Sequence, residues 1–181
     1  MRLTDSFGRT INYLRLSVTD RCNLRCHYCM PGAGVAKVTH DEILRYEELL
    51  MIARAAVSIG VEKVRITGGE PLVRRGLTGF LTSLHQIPGL RHLALTTNGL
   101  LLGDLVADLK QAGVQRLNIS LDSLKPEVFS QITRGGDLSR VLYGISAAGN
   151  AGIPVKLNMV VIRGTNDSEL ADFAALTLDS P

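Results

Sequence analysis

The stretch AAVSIGVEKVRITGG, residues 55–69, decides the fold because its plan recurs. LKQAGVQRLNISLD at 109–122 and GNAGIPVKLNMVV at 149–161 follow the same order: a helix end, a glycine, then a short strand. Gly60, Gly113 and Gly152 suit the left-handed position just past a helix C-terminus, which a Cβ disfavours. Ahead of the first glycine, Leu49, Ile52, Ala53, Ala56 and Val57 follow the spacing of one apolar helix face. Counting outward predicts strands near 12–18, 62–67, 92–96, 116–121 and 155–162. Helices are predicted near 46–59, 77–86, 102–112, 138–151 and 167–176. Strand alternating with helix at this spacing means parallel βαβ units, whose right-handed crossovers close toward a barrel. No linker or low-complexity run divides the chain, so residues 1–181 read as one α/β domain of about five βα units.

The strands themselves alternate, unlike those of a sheet covered on both faces. Leu14, Leu16 and Val18 share one face of the first strand, with Arg15, Ser17 and Thr19 on the other. Val64 and Ile66 oppose Arg65 and Thr67; Leu93 and Leu95 oppose Ala94 and Thr96. Leu117, Ile119 and Leu121 oppose Asn118 and Ser120, and Val155, Leu157 and Met159 oppose Lys156 and Asn158. Apolar residues must meet the helix layer, so the polar set faces inward. An inner face with Arg15, Arg65 and Lys156 is not a core of branched aliphatics. It reads as the lining of a cavity for something polar and anionic, against the blander alternative of an open sheet with one solvated face.

Composition narrows the class. The chain is 45% hydrophobic and 20% charged, with a net charge of +3, as in an ordinary soluble globular protein. Its 20 Lys and Arg are scattered, which argues against a nucleic-acid stripe or a polybasic membrane anchor. The start MRLTDSFGRTINY has no apolar signal core, and LLMIARAAVSIGV is broken by Arg54. A cytoplasmic setting follows as the expectation, where thiols stay reduced.

All 3 cysteines, Cys22, Cys26 and Cys29, lie in SVTDRCNLRCHYCMPGAG at 17–34, just after the first strand. The spacing C-x3-C-x2-C lets three thiols leave a strand end and converge. A structural zinc wants four ligands, and His27, the nearest candidate fourth, is awkwardly adjacent to Cys26. A [4Fe–4S] cluster on three thiolates keeps one iron open, and this reading is favoured over zinc, with a redox or catalytic thiol group ranked below both. His27, His40, His85 and His92 read as surface or loop residues.

C-x3-C-x2-C with Tyr28 before the last cysteine, followed by TGGEP at 67–71, resembles the radical S-adenosylmethionine (SAM) enzymes. YLRLSVTDRCNLRCHYCMP and VRITGGEPLVR further resemble one family among them, the GTP 3',8-cyclases of molybdenum cofactor biosynthesis, with similarity from about Asp5 to Glu169. The resemblance implies a partial (βα) barrel of the radical SAM type and one site-differentiated [4Fe–4S] cluster on Cys22, Cys26 and Cys29. SAM would chelate the open iron and touch Tyr28, Gly68, Gly69, Glu70 and Ser120. Gly68 and Gly69 would let the backbone approach the methionine moiety, and Glu70 would accept from donors there or serve the turn. GTP would meet Arg15, Arg65, Thr96 and Lys156, all on the inward face. The implied reaction is reductive SAM cleavage to a 5'-deoxyadenosyl radical, hydrogen abstraction from the ribose C3' and C3'–C8 cyclisation. A flavodoxin or ferredoxin would supply the electron. The resemblance leaves a homodimer open and implies neither nucleic-acid nor membrane partners.

The family continues with a sixth strand and a C-terminal second three-cysteine cluster that binds guanine. This chain ends at LTLDSP and has no cysteine after Cys29, so by itself it is expected to be inactive as a cyclase. A cluster- or metal-binding module without turnover, or a truncated peptide-modifying radical SAM enzyme, are the alternatives. Val160, Val161 and Ile162 are expected to lie on an exposed edge strand.

Overall fold

The computed structural model describes residues 3–35, 39 and 42–179; His40 lies outside them. Five strands, β1 (Tyr13–Ser17), β2 (Lys63–Thr67), β3 (His92–Thr97), β4 (Arg116–Ser120) and β5 (Val155–Asn158), lie side by side in chain order. Every neighbouring pair is parallel. The helices are α1 (Tyr46–Ser58), α2 (Leu77–His85), α3 (Leu102–Gln111), α4 (Pro126–Thr133), α5 (Leu138–Asn150) and α6 (Leu170–Asp179). Among the described residues β1 and β5 pair on one side only, so the sheet is an open arc, a partial barrel.

The recurring glycine closes three helices in one way. Gly60 N–H donates to the Val57 carbonyl and Val61 N–H to that of Ala56; Gly113 and Val114 repeat this on Lys110 and Leu109, and Gly152 and Ile153 on Gly149 and Ala148. The three glycines have φ of +109°, +88° and +67°. This paired closure satisfies orphan carbonyls at the helix end. The residue after each glycine, Val61, Val114 or Ile153, is buried. The turn that ends the helix therefore also pins the chain to the core and aims the next strand.

The alternation holds except on β4, where the inward Asn118 is buried as well. Leu16, Val64, Ile66, Leu93, Leu95, Leu117 and Ile119 are buried against the helices, while Arg15, Ser17, Lys156 and Asn158 on the other parity are exposed. Two expectations fail. The β4–β5 crossover holds two helices: α4 was not foreseen because eight residues give barely two turns of periodicity, although Phe129 and Ile132 bury one face. The fifth strand stops at Asn158, so Val160, Val161 and Ile162 form no edge strand. Asp122 Oδ1 accepts from Val160 N–H at 2.9 Å, and Asn166 Oδ1 accepts from Ile162 N–H at 2.7 Å. Asn166 Nδ2 in turn donates to the Val160 carbonyl at 2.9 Å. Side chains take the backbone groups that strand pairing would use.

Candidate active site

Register gathers the inward residues. Arg15 lies opposite Arg65, Arg65 opposite Ala94 and Ala94 opposite Arg116. One step on, Thr96 lies opposite Asn118 and Asn118 opposite Lys156. The inward parity of the five strands thus carries Arg15, Lys63, Arg65, Arg116 and Lys156 with His92, and not one carboxylate. Ion pairs among the described residues are held by other arginines: Arg9, Arg45, Arg91 and Arg140. The Arg65 Nε is buried without a partner, and its guanidinium carbon lies 5.3 Å from the centre of the Tyr13 ring. A buried donor left unpaired is costly unless a ligand takes it. Tyr13, Lys63, Arg65, His92 and Arg116 bound a cavity of about 360 Å³. The sequence reading passed over Lys63, His92 and Arg116; sharing parity with Arg65 was the signal that could have found them. His92 opens β3 and is exposed, as expected of a surface residue.

The cysteine loop leaves the C-terminal end of β1 and is held on two sides. On one, Gly69 N–H donates to the Thr19 carbonyl and Glu70 N–H to that of Arg21, each at 2.7 Å. On the other, α4 is its shelf: Arg25 and His27 N–H groups donate to the Thr133 and Ile132 carbonyls at 3.2 and 3.0 Å. Arg134, at φ +57°, donates through Nη1 to the carbonyls of Arg25 (2.9 Å) and Met30 (2.8 Å). Within the loop, Cys29 and Met30 N–H groups share the Cys26 carbonyl. Arg134→Ala should lower stability by about 1–3 kcal/mol through these charge-assisted bonds. Arg134→Gly should recover about 1–2 kcal/mol of that, since a left-handed conformation no longer opposes a Cβ. Urea melts of the two variants test the order; equal midpoints would contradict it.

Gly68 and Gly69 lie tight against the loop's own backbone: a Cβ on Gly68 would strike the Thr19 carbonyl, and one on Gly69 the Arg21 carbonyl. Glu70 is fully buried and accepts from Leu72 N–H (3.0 Å), Thr97 Oγ1–H (2.8 Å) and Asn98 N–H (2.6 Å). Its carboxylate ties the glycine turn to the end of β3, which is the turn role weighed for it. Burial pushes its carboxyl above the ordinary value, with those three donors opposing. Tyr28 donates its hydroxyl to Asp122 Oδ2 at 2.7 Å; burial first, then this bond, raises the phenol well above its usual value. Ser120 ends β4, half-buried, opposite Asn158.

Cys22 and Cys26 are half-buried and Cys29 is exposed. Burial raises the Cys22 thiol, and burial with nearby Asp122 pushes Cys26 up to about 11. Among the described residues no three His, Cys, Asp or Glu side chains gather tightly enough for a single ion. A tetrahedral zinc needs its sulfurs about 2.3 Å away and hence nearly touching. A four-iron cluster is larger and takes thiolates set further apart. Three thiols on one loop, with Leu24 N–H already 3.4 Å from Cys22 Sγ, suit that donor set.

Residues 16–177 match the family model of the radical SAM superfamily. The chain belongs to the radical SAM superfamily. Membership implies a [4Fe–4S] cluster and SAM, and in this radical SAM protein Cys22, Cys26 and Cys29 are the residues that would hold the cluster. The chain is 67% identical over 182 residues to the GTP 3',8-cyclase of Geobacter sulfurreducens, covering 100% of this chain and 56% of that protein. It is 55% identical to the GTP 3',8-cyclase of Peptoclostridium acidaminophilum, covering 98% and 55%. This radical SAM chain therefore spans about 55% of such relatives' length. Among solved structures, Streptococcus suis SuiB bound to its precursor peptide SuiA matches with a TM-score of 0.74 at 21% identity, over 90% of this chain and 36% of that one. A tagged anSMEcpe with bound AdoMet matches at 0.72 and 19%, over 92% and 46%. These two likenesses show the fold alone.

Proposed function

We propose that this chain is the radical SAM core of a GTP 3',8-cyclase in molybdenum cofactor biosynthesis, with the triphosphate of GTP on the inner face. The carboxylate-free row of cations, with the orphaned Arg65 Nε, is the observation that carries this reading. Arg15 and Arg65 offer planar forks that suit phosphate oxygens, and Lys156 adds a compact charge. Thr96 supplies a hydroxyl between them. Tyr28, Gly69 and Ser120 line the strand C-termini, where SAM would sit beside the cysteine loop, and Glu70 holds the glycine turn there in shape. When bound, the cluster and SAM supply one-electron reductive cleavage of a sulfonium. Reductive cleavage needs an external electron donor, for which a flavodoxin or ferredoxin is proposed, and a reducing cytoplasmic setting is the proposed compartment. No helix among the described residues is long and apolar enough to cross a membrane.

The test combines binding and turnover. Cluster-reconstituted protein with SAM and dithionite should form 5'-deoxyadenosine, and GTP should raise its yield. Arg65→Ala should weaken GTP binding roughly 10-fold or more, as expected for a charge-assisted bond of about 1.5–3 kcal/mol. Unchanged GTP affinity in Arg65→Ala and Lys156→Ala would sink the reading. SAM cleavage indifferent to GTP would favour a peptide-modifying enzyme instead.

A further inference from the structure

Beyond the proposed substrate site, the turn after β3 connects to both the glycine turn and the cysteine loop. Asn98 donates its backbone N–H to Glu70 Oε2 at 2.6 Å. Its side-chain Oδ1 accepts from Leu100 N–H at 3.1 Å. That second bond fixes which way the amide faces: with the oxygen held by Leu100, Nδ2 must point to the opposite side. There it lies 2.7 Å from Asn23 Oδ1 and 3.8 Å from Cys22 Sγ, a length suited to a sulfur acceptor. The two Nδ2 hydrogens therefore have two acceptors, and one of them is a thiol of the loop. Leu24 N–H reaches the same sulfur at 3.4 Å.

We propose that Asn98 is a positioning residue for the cluster, donating an amide hydrogen to the Cys22 thiolate and thereby raising the cluster's reduction potential. Reduction adds negative charge to a cluster whose ligands are already anionic. A donor aimed at a ligand sulfur stabilises the reduced form more than the oxidised one. Asn98 also links this sulfur to Glu70, its side chain on the cysteine loop and its backbone N–H on the glycine turn. The inference rests on family membership and on these contacts, and it holds whether or not GTP is the substrate.

An EPR-monitored redox titration of the cluster-loaded protein without SAM tests it. Asn98→Ser keeps a short oxygen acceptor for Leu100 N–H but has no Nδ2. Its midpoint should fall at unchanged iron per chain, and Asn98→Asp, which keeps the acceptor and adds charge, should fall further. A purely structural turn role would leave the Asn98→Ser midpoint equal to wild type, and that result overturns the proposal. A second measurement needs no variant: the reduced wild-type protein, carrying asparagine labelled with ¹⁵N in its side-chain amide, is examined by pulsed EPR. A ¹⁵N coupling to the cluster supports the assignment, and its absence overturns it even if the variants fail to load iron.

Discussion

Alanine at Gly69 should cost the protein most of its cluster. The added Cβ falls on the Arg21 carbonyl, a backbone group that cannot swing aside as a flexible side chain would. Relief requires the turn and the cysteine loop to separate, which breaks the 2.7 Å bonds from Gly69 to Thr19 and from Glu70 to Arg21. Overpacking alone costs about 1–3 kcal/mol, and each lost bond adds about 1 kcal/mol. The sum is a large share of a typical domain's stability of about 5–15 kcal/mol. More directly, Cys22 follows Arg21, so the first thiol moves with the displaced carbonyl. Iron per chain after anaerobic reconstitution should drop several-fold, and the urea midpoint should fall with it. Gly79→Ala is the matched control. Its Cβ meets nothing within 4 Å inside α2, and it should gain up to about 1 kcal/mol from helix propensity alone. Full iron loading of Gly69→Ala at the wild-type midpoint would show that the loop accommodates the methyl.

Removing the Glu70 carboxylate should be the most damaging change away from the cysteine loop itself. Glu70→Ala strands three donors in a site with no solvent: Leu72 N–H, Thr97 Oγ1–H and Asn98 N–H. An unsatisfied buried donor costs about 1–3 kcal/mol, and three together make roughly 3–6 kcal/mol once the Thr97 hydroxyl is allowed to turn elsewhere. Glu70→Gln preserves volume and keeps one acceptor oxygen, but its amide nitrogen must face a donor. It should therefore fall between wild type and Glu70→Ala in chemical denaturation. A Glu70→Ala variant melting within 1 kcal/mol of wild type, about the worth of a single bond, would mean that the cradle refills with water. The same variant frees the Asn98 backbone, so its midpoint potential should also move in the direction of Asn98→Ser.

Much of this protein can be read along one dimension. The three glycine-closed helix ends, the strict alternation of five strands and the cysteine spacing are local patterns. Periodicity reports which face of an element is buried, and that alone yields a parallel sheet with a polar inner face carrying Arg15, Arg65, Thr96 and Lys156. What it missed depends on partners distant in sequence. Arg134 reaches a carbonyl 109 residues away, Tyr28 bonds Asp122 across 94 residues, and Asn98 meets Cys22 across 76. Asp122 and Asn166 end β5 early by capturing backbone groups that the alternation of Val155 to Met159 assigned to a longer strand. Likewise the double glycine was legible as a demand for space, but not as to what fills that space. By itself, the sequence determined the architecture, the inner charge and the thiol set, because each follows from nearest-neighbour spacing. Only the tertiary structure decided how the cysteine loop is held and which side chains reach its sulfurs, because those contacts exist only once separate elements have packed.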